Sequence, residues 1–359
     1  MFEGVITTGI YCLPPCPGRP LPENVVSFAS AAGAEAAGFR ACHRCRPYRG
    51  DRRPTSASEL VCRAVDLIAS GALDESGEAE LAARLAVSQR HLRRMFRTQV
   101  GTTPDRLARS RRAHFARRLL DDTDLPVIDI AFASGFGSLR QFNRVMVTTF
   151  HGTPHELRAR RRRADRLVAD GGLALRVPLR EPVRVDRRLT QLAAESISGI
   201  ENATAGHYRR TVSMDGAPGV IEICSDASGE ARLVAHLPRI EGLMHLVDQV
   251  QRLLAGGVWD RYEAAVRAIV ADHVGASPAP DVLAELVTRF GTPIAGLRQF
   301  GLTHAFPAPA TLADADFRDI PVDADCAKMI RDYSLDPNRG YATGHSTQPQ
   351  VRGFSHRSG

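Results

Sequence analysis

The sequence predicts a multidomain α+β chain: a small zinc-bound domain, an all-α domain with two helix-turn-helix units, then an α+β module with a partial helical domain. Three observations lead there. Four of the seven cysteines fall in the first 45 residues, the basic charge sits in one half, and strand-like alternation appears only after Gly171-Gly172. The 359 residues set a prior of two or three domains, and 43% hydrophobic residues can form real cores. No apolar run is long enough for a membrane span. The segment MFEGVITTGIYC lacks the basic-then-apolar pattern of a secretion signal, so a cytoplasmic protein is expected.

Charge identifies the partner class. Residues 1–170 hold 27 arginines against 18 acidic residues, a net +9, while residues 171–359 come to −2. Lys328 is the single lysine. The first half is suited to a polyanion such as double-stranded DNA, and the second is not.

The cysteines come as C-x3-C (Cys12, Cys16) and C-x2-C (Cys42, Cys45). Two short-spaced pairs can bring four thiolates to one tetrahedral Zn2+. Four unrelated buried thiols are the alternative, but paired spacing is rare by accident. His43 sits beside this set as a solvent-facing neighbour, since four cysteines already satisfy the metal. Cys62, Cys224 and Cys326 read as small buried hydrophobes. Residues 1–48 have one Ala-rich helical stretch, Phe28 to Ala37, and too little apolar material for a core of their own. Tyr48 to Ser58 reads as a polar linker.

From 59 to 165 the apolar residues recur at helical spacing. Two pieces look alike, Leu81–Phe96 and Val127–Arg144. Each has a short apolar helix, a tight turn, a Ser N-cap (Ser88, Ser138) and a second helix rich in polar residues. Gly135 supplies the second turn. This is a helix-turn-helix written twice. The helix after each turn presents Gln89, Arg90, Arg93 and Arg94 in one copy, and Arg140, Asn143 and Arg144 in the other. Arg and Gln can make bidentate contacts to guanine and adenine edges in a major groove. A helical bundle with solvated arginines is the bland alternative, which two copies in one basic region disfavour. The run Arg158 to Arg166 is either a phosphate contact or a solvated helix end.

Beyond Gly172, strands are expected at Leu173–Leu179, Tyr208–Met214, Gly219–Cys224 and Ala231–Leu237, with a turn at Asp215-Gly216. Helices are expected at Asp186–Glu195 and Glu241–Leu254. Together they form an α+β module over 173–255, closed on itself. Helices at Trp259–Val274 and Val282–Phe290 open a helical region over 256–335. Residues 336–359 have almost no apolar periodicity and read as a disordered tail.

These motifs carry a resemblance. ITTGIYCLPPCPGRP…ACHRCRP resembles the zinc-binding, methylphosphotriester-accepting domain of the Ada-type DNA repair activators. Residues 60–163, with SGFGSLRQFNR and GTPHELR, resemble the DNA-binding domain of the AraC/XylS regulators. Residues 173–300, with GHYRRT, GVIEI and VWDRYEAAVRAI, resemble the start of a 3-methyladenine DNA glycosylase II. The resemblance implies that Cys12 accepts a methyl group irreversibly, that Cys16, Cys42 and Cys45 complete the zinc site, and that the methylated form activates transcription at promoter sites. Methylated DNA backbone and promoter DNA are then the partners, RNA polymerase is a candidate third, and no other cofactor is implied.

The departures matter too. Family domains carry a helix and strand ahead of the segment equivalent to Met1–Gly4, so either a start upstream of Met1 or an incomplete zinc fold is expected. Leu13 replaces an Arg, and Ala41 a Pro. The Pro-Cys-His-Arg-Val motif of the O6-alkylguanine acceptor domain is missing. The glycosylase hairpin LPGIGPWTA is missing as well, and Asp314, Asp316, Asp319, Asp323, Asp325 and Asp332 stand in the wrong context for its catalytic Asp. Little or no base excision is expected, which leaves a suicide methyltransferase and activator as the leading expectation. A base-excision glycosylase, or a decayed fusion that only binds DNA, are the alternatives.

Overall fold

The computed structural model describes residues 1–337 other than 19, 51–56, 75, 163–164, 168–170, 180–182, 205, 215 and 227–228. Most of the expected linker, Asp215 of the expected turn and nearly all of the expected tail lie outside the described residues.

Short β-rich segments around the first cysteines build a small sheet. Strands β1 (Phe2–Val5), β2 (Ile10–Cys12), β3 (Val25–Phe28) and β4 (Arg40–Ala41) lie in the order β3-β1-β2-β4. β1 is antiparallel to β2 and β3, whereas β2 and β4 run parallel. Gly4 is required in β1, because a Cβ there would stand 2.6 Å from the Phe28 ring and 2.9 Å from Phe39. Helix α1 (Ala31–Ala36) starts later than the sequence suggests. Ser30 caps it by accepting the Gly33 N–H at 2.9 Å, and Phe28 belongs to β3, edge-on to Phe39.

Helices α2 (Glu59–Ala69), α3 (Glu78–Arg84) and α4 (Gln89–Gln99) form the first helix-turn-helix unit. The long α5 (Pro104–Asp122) leads to α6 (Val127–Ala133), α7 (Leu139–Phe150) and α8 (Pro154–Ala159), the second unit. The first unit has its own core, with Val61, Leu81, Leu92 and Phe96 fully buried. The second shares one continuous core with its neighbours: Phe142 and Met146 join Phe2 and Tyr11 on one side and Leu233 and Leu246 on the other. That shared core is how an apolar-poor N-terminal segment is held.

The third part has β5 (Leu173–Arg176), α9 (Val185–Ala194), β6 (Glu201–Thr204), β7 (His207–Met214), β8 (Ala217–Ser225), β9 (Ala231–His236) and α10 (Leu243–Leu254). Its antiparallel sheet runs β5-β9-β8-β7-β6. This module is not closed on itself, contrary to the sequence expectation. Helix α10 is buried on most of its circumference, and its Asp248 receives the Arg111 guanidinium of α5 at 3.0 Å. A helix buried on most of its circumference needs cover on both sides, and the helix-turn-helix domain supplies the second, meeting the polar Asp248 with an arginine.

Helices α11 (Arg261–Val274) and α12 (Ala279–Phe290), the short pair β10 (Thr292–Pro293) and β11 (His304–Ala305), then α13 (Pro309–Ala313) and α14 (Ala324–Leu335) enclose a separate core around Val266, Ile269, Leu286 and Ile330. Composition hides α14, because its Asp-rich approach reads as loop. Asp323 is its N-cap, accepting the Cys326 N–H at 2.6 Å.

Candidate metal centre and nucleic-acid interface

Parallel pairing of β2 with β4 matches Tyr11 to Ala41, and the Cys42 N–H donates to the Tyr11 carbonyl at 3.0 Å. That register sets Cys12 beside Cys42 across thirty residues of chain. Cys45 returns through a tight turn in which the Arg46 N–H meets the Cys42 carbonyl at 3.0 Å, and Cys16 follows through the Leu13–Pro15 loop. The sulfurs of Cys12, Cys16, Cys42 and Cys45 all lie within 4.8 Å of one another. Tetrahedral zinc with Zn–S bonds of about 2.3 Å needs sulfurs about 3.8 Å apart, so this set fits Zn2+. His43 is exposed and outside the cluster.

The thiols alone resist joint ionisation. Burial, and then the crowding of Cys16 and Cys42, pushes the Cys12 thiol far above its usual range. Burial likewise raises Cys45 to about 12, against the pull of the Leu13 N–H. Cys42 moves down despite burial, because the backbone N–H groups of Cys45 and Arg44 face its sulfur. A dication at the centre removes the penalty for all four.

The centre is wired to the helices. Tyr11, next to Cys12, is fully buried, and its hydroxyl donates to Glu35 of α1 at 2.7 Å. His114 of α5 meets the same carboxylate oxygen at 2.6 Å. Directly after Cys45, Arg46 pairs with Asp165 at 2.7 Å and Arg49 with Asp121 at 3.1 Å and Asp122 at 3.2 Å. Tyr48 donates to Asp121 at 2.9 Å, Arg117 also grips Asp121, and Arg176 of β5 reaches Asp122 at 2.9 Å. Tyr48 and Arg49 are therefore not linker, as the sequence suggested, but part of a buried ionic hub joining all three regions. Much of the basic run is likewise engaged internally: Arg161 reaches the Thr123 carbonyl and Asp124, and Arg166 reaches Asp124.

Both reading helices begin at the serines the sequence marked. The His91 N–H donates to Ser88 Oγ, and the Gln141 N–H to Ser138 Oγ, each at 3.2 Å. Arg90, Arg93 and Arg94 are exposed on α4 with Gln89 half-buried, while Arg140, Asn143 and Arg144 are exposed on α7. They differ in commitment. Arg93 is tied to Glu78 and Arg94 to His91, whereas the Arg144 carbonyl accepts from the Thr148 hydroxyl at 2.8 Å and, among the described residues, no side-chain hydrogen bond or ion pair holds Arg140, Asn143 or Arg144. Sequence reasoning, which sought hydrogen-bonding side chains, passed over Leu139, the first residue of α7, 37% exposed and one turn before Asn143.

Comparison with known proteins places this arrangement. The model for the metal binding domain of Ada matches residues 1–48, a helix-turn-helix domain model matches 81–160, and the AlkA N-terminal domain model matches 174–256. Over 347 residues the chain is 36% identical to a Mycobacterium tuberculosis protein described as a probable bifunctional transcriptional activator/DNA repair enzyme AlkA, covering 87% of this chain and 70% of that protein. The chain belongs to this family. The bifunctional transcriptional activator/DNA repair enzyme Ada of Escherichia coli is 36% identical over 119 residues, 32% of each chain. A crystal structure of the methylated N-ADA/DNA complex is 36% identical over 31% of this chain and 83% of its own, with a TM-score of 0.13. Within the family, the cysteine cluster is a zinc site and the paired helix-turn-helix units make this a DNA-binding protein. No helix among the described residues is long and apolar enough to cross a membrane.

Proposed function

We propose that the chain is a stoichiometric methyl acceptor whose methylation turns it into a sequence-specific transcriptional activator. Cys16, Cys42 and Cys45 hold Zn2+ together with Cys12, and the metal keeps their thiols ionised near neutral pH. The Cys12 thiolate attacks the methyl carbon of a DNA methylphosphotriester. The sulfur–carbon bond forms, the carbon–oxygen bond breaks, and its electron pair leaves with the phosphodiester anion, so no general base is needed. The product is a thioether, which makes the step irreversible.

The observation that carries this reading is the four-sulfur cluster packed on the same body as two exposed reading helices. Four thiolates around a dication hold a formal −2, and one methylation leaves −1. A unit charge about 5 Å from a phosphate shifts its energy by roughly 1 kcal/mol in water-like surroundings and about 3 at an effective dielectric of 20. Methylation then tightens DNA binding from several-fold to about a hundred-fold. The partners are methylated DNA backbone, promoter DNA and RNA polymerase, in the cytoplasm at the nucleoid. The working parts are the zinc domain over 1–48 and the helix-turn-helix domain over 59–165. The glycosylase-like 173–255 and the helical 256–335 act as bracing.

Incubation of the protein with methylated duplex, followed by mass spectrometry, tests the reading. One methyl on Cys12, lost in Cys12→Ala, is the expected result, and an unmethylated Cys12 overturns it. The AlkA N-terminal match supports one competing activity, base excision. Release of free 3-methyladenine from the same mixture would establish it. Among the described residues, Asp316, Asp319 and Asp323 are engaged with Arg318, Arg289 and His273, which supports structural roles for them.

A further inference from the structure

Aligning α4 and α7 on their serine caps makes Leu139 the counterpart of Gln89 at the first helical position, Arg140 that of Arg90, and Arg144 that of Arg94. The first positions of a recognition helix are those that reach base edges in a major groove. A side chain with no donor or acceptor at this position cannot read a hydrogen-bonding edge. In B-DNA it matches one major-groove feature, the C5-methyl group of thymine.

We propose that Leu139 is a specificity-determining residue that reads a thymine methyl in the half-site taken by α7, while α4 reads its half-site through hydrogen bonds. The inference rests on the DNA-binding reading above. Leu139 is 37% exposed at the start of a helix whose Phe142 and Met146 are completely buried. Exposed Arg140 follows it directly and exposed Asn143 and Arg144 stand on the next turn, and their charge and hydrogen-bonding capacity select duplex DNA as the occupant. The Ser138 cap fixes the backbone of that first turn, so the leucine is presented by a rigid helix end.

The test uses the full zinc-loaded chain, before and after methylation, to select duplexes from a random-sequence library. The selected duplex is then remade with deoxyuridine replacing each thymidine in turn, which deletes one methyl and alters no hydrogen bond. At one position in the α7 half-site the loss of affinity is expected to be about fourfold, the change that burying one methyl-sized group carries. Leu139→Ala should bind the thymidine and deoxyuridine duplexes equally, with a cooperative thermal transition showing that it folds. Leu139→Gln, copying the first position of α4, should move the preferred base there from thymine to adenine. Tolerance of deoxyuridine at every position, or undiminished discrimination by Leu139→Ala, overturns the inference and leaves DNA binding standing. Failure to select any duplex overturns the DNA-binding reading, and this inference with it.

Discussion

The two helix-turn-helix units share a local plan and differ in almost everything around it. Both turns repeat the same hydrogen bonds: Ala86 N–H to Ala83 and Val87 N–H to Ala82 in the first, Gly135 N–H to Phe132 and Phe136 N–H to Ala131 in the second. In each the pivot is left-handed, at φ 55° for Ala86 and 75° for Gly135. Their surroundings diverge. The first unit packs around a separate core that borrows Ala32 from the zinc domain, whose Ser30 hydroxyl donates to the Val100 carbonyl, and it is braced through Asp74 by His245 of α10, while the second merges into the larger core of the zinc-domain strands and ends at the ionic hub. The difference teaches that the unit nearest the cysteines is the one physically continuous with them: β4, just before Cys42, packs on α7, and Tyr48 stands edge-on to Phe150.

The hub is the strongest place to break that asymmetry. Asp121 is fully buried with arginines around it, so Asp121→Asn leaves uncompensated guanidinium charge and should cost about 3 kcal/mol or more. Hydrogen exchange should show α7 deprotected more than α4; equal loss in both would refute the separate bracing. Next come the reading faces. Arg140→Ala or Arg144→Ala should each weaken DNA binding by about 1–3 kcal/mol, whereas Arg93→Ala should cost less because Glu78 already holds Arg93. Titrations of the three variants on one selected duplex decide this.

The pivots predict opposite signs. Gly135→Ala places a Cβ in the left-handed region 3.4 Å from Arg112 Nε and should destabilise by about 1–2 kcal/mol. Ala86→Gly relieves the same strain and should stabilise by about 0.5 kcal/mol, less than the strain itself because the unfolded chain gains freedom. Thermal unfolding of both variants gives the comparison. The smallest effect is one of pH. The Asp74 carboxylate raises the pKa of His245 above its ordinary value of about 6.5, against the opposing effect of burial. A raised histidine pKa gives stability that is complete below the unfolded value and fades as pH climbs through the folded one. Denaturant midpoints should fall on going from about pH 6 to pH 8 in the native chain and stay flatter in His245→Gln.

Much of the reading domain was legible in the sequence. Ser88, Ser138 and Gly135 act within one helical turn, so their roles can be read from neighbours three or four residues away. The cysteine spacing announced a metal for the same reason. The four N-terminal strands were harder to see, since two- to four-residue strands carry too little alternation. Leu139 was missed because a lone apolar residue at a helix start reads as core until its exposure is known.

By itself, then, the sequence determined the zinc-type cysteine set, two capped helix-turn-helix units and a basic half facing a polyanion. Each depends on spacing within a few residues or on composition. Only the tertiary structure decided that Cys12 and Cys42 meet through a parallel register, that α10 closes on α5, and that Asp121 lies at the centre of the hub. Those outcomes depend on strand register and on which buried surfaces cover one another, and both are set by segments far apart in the chain.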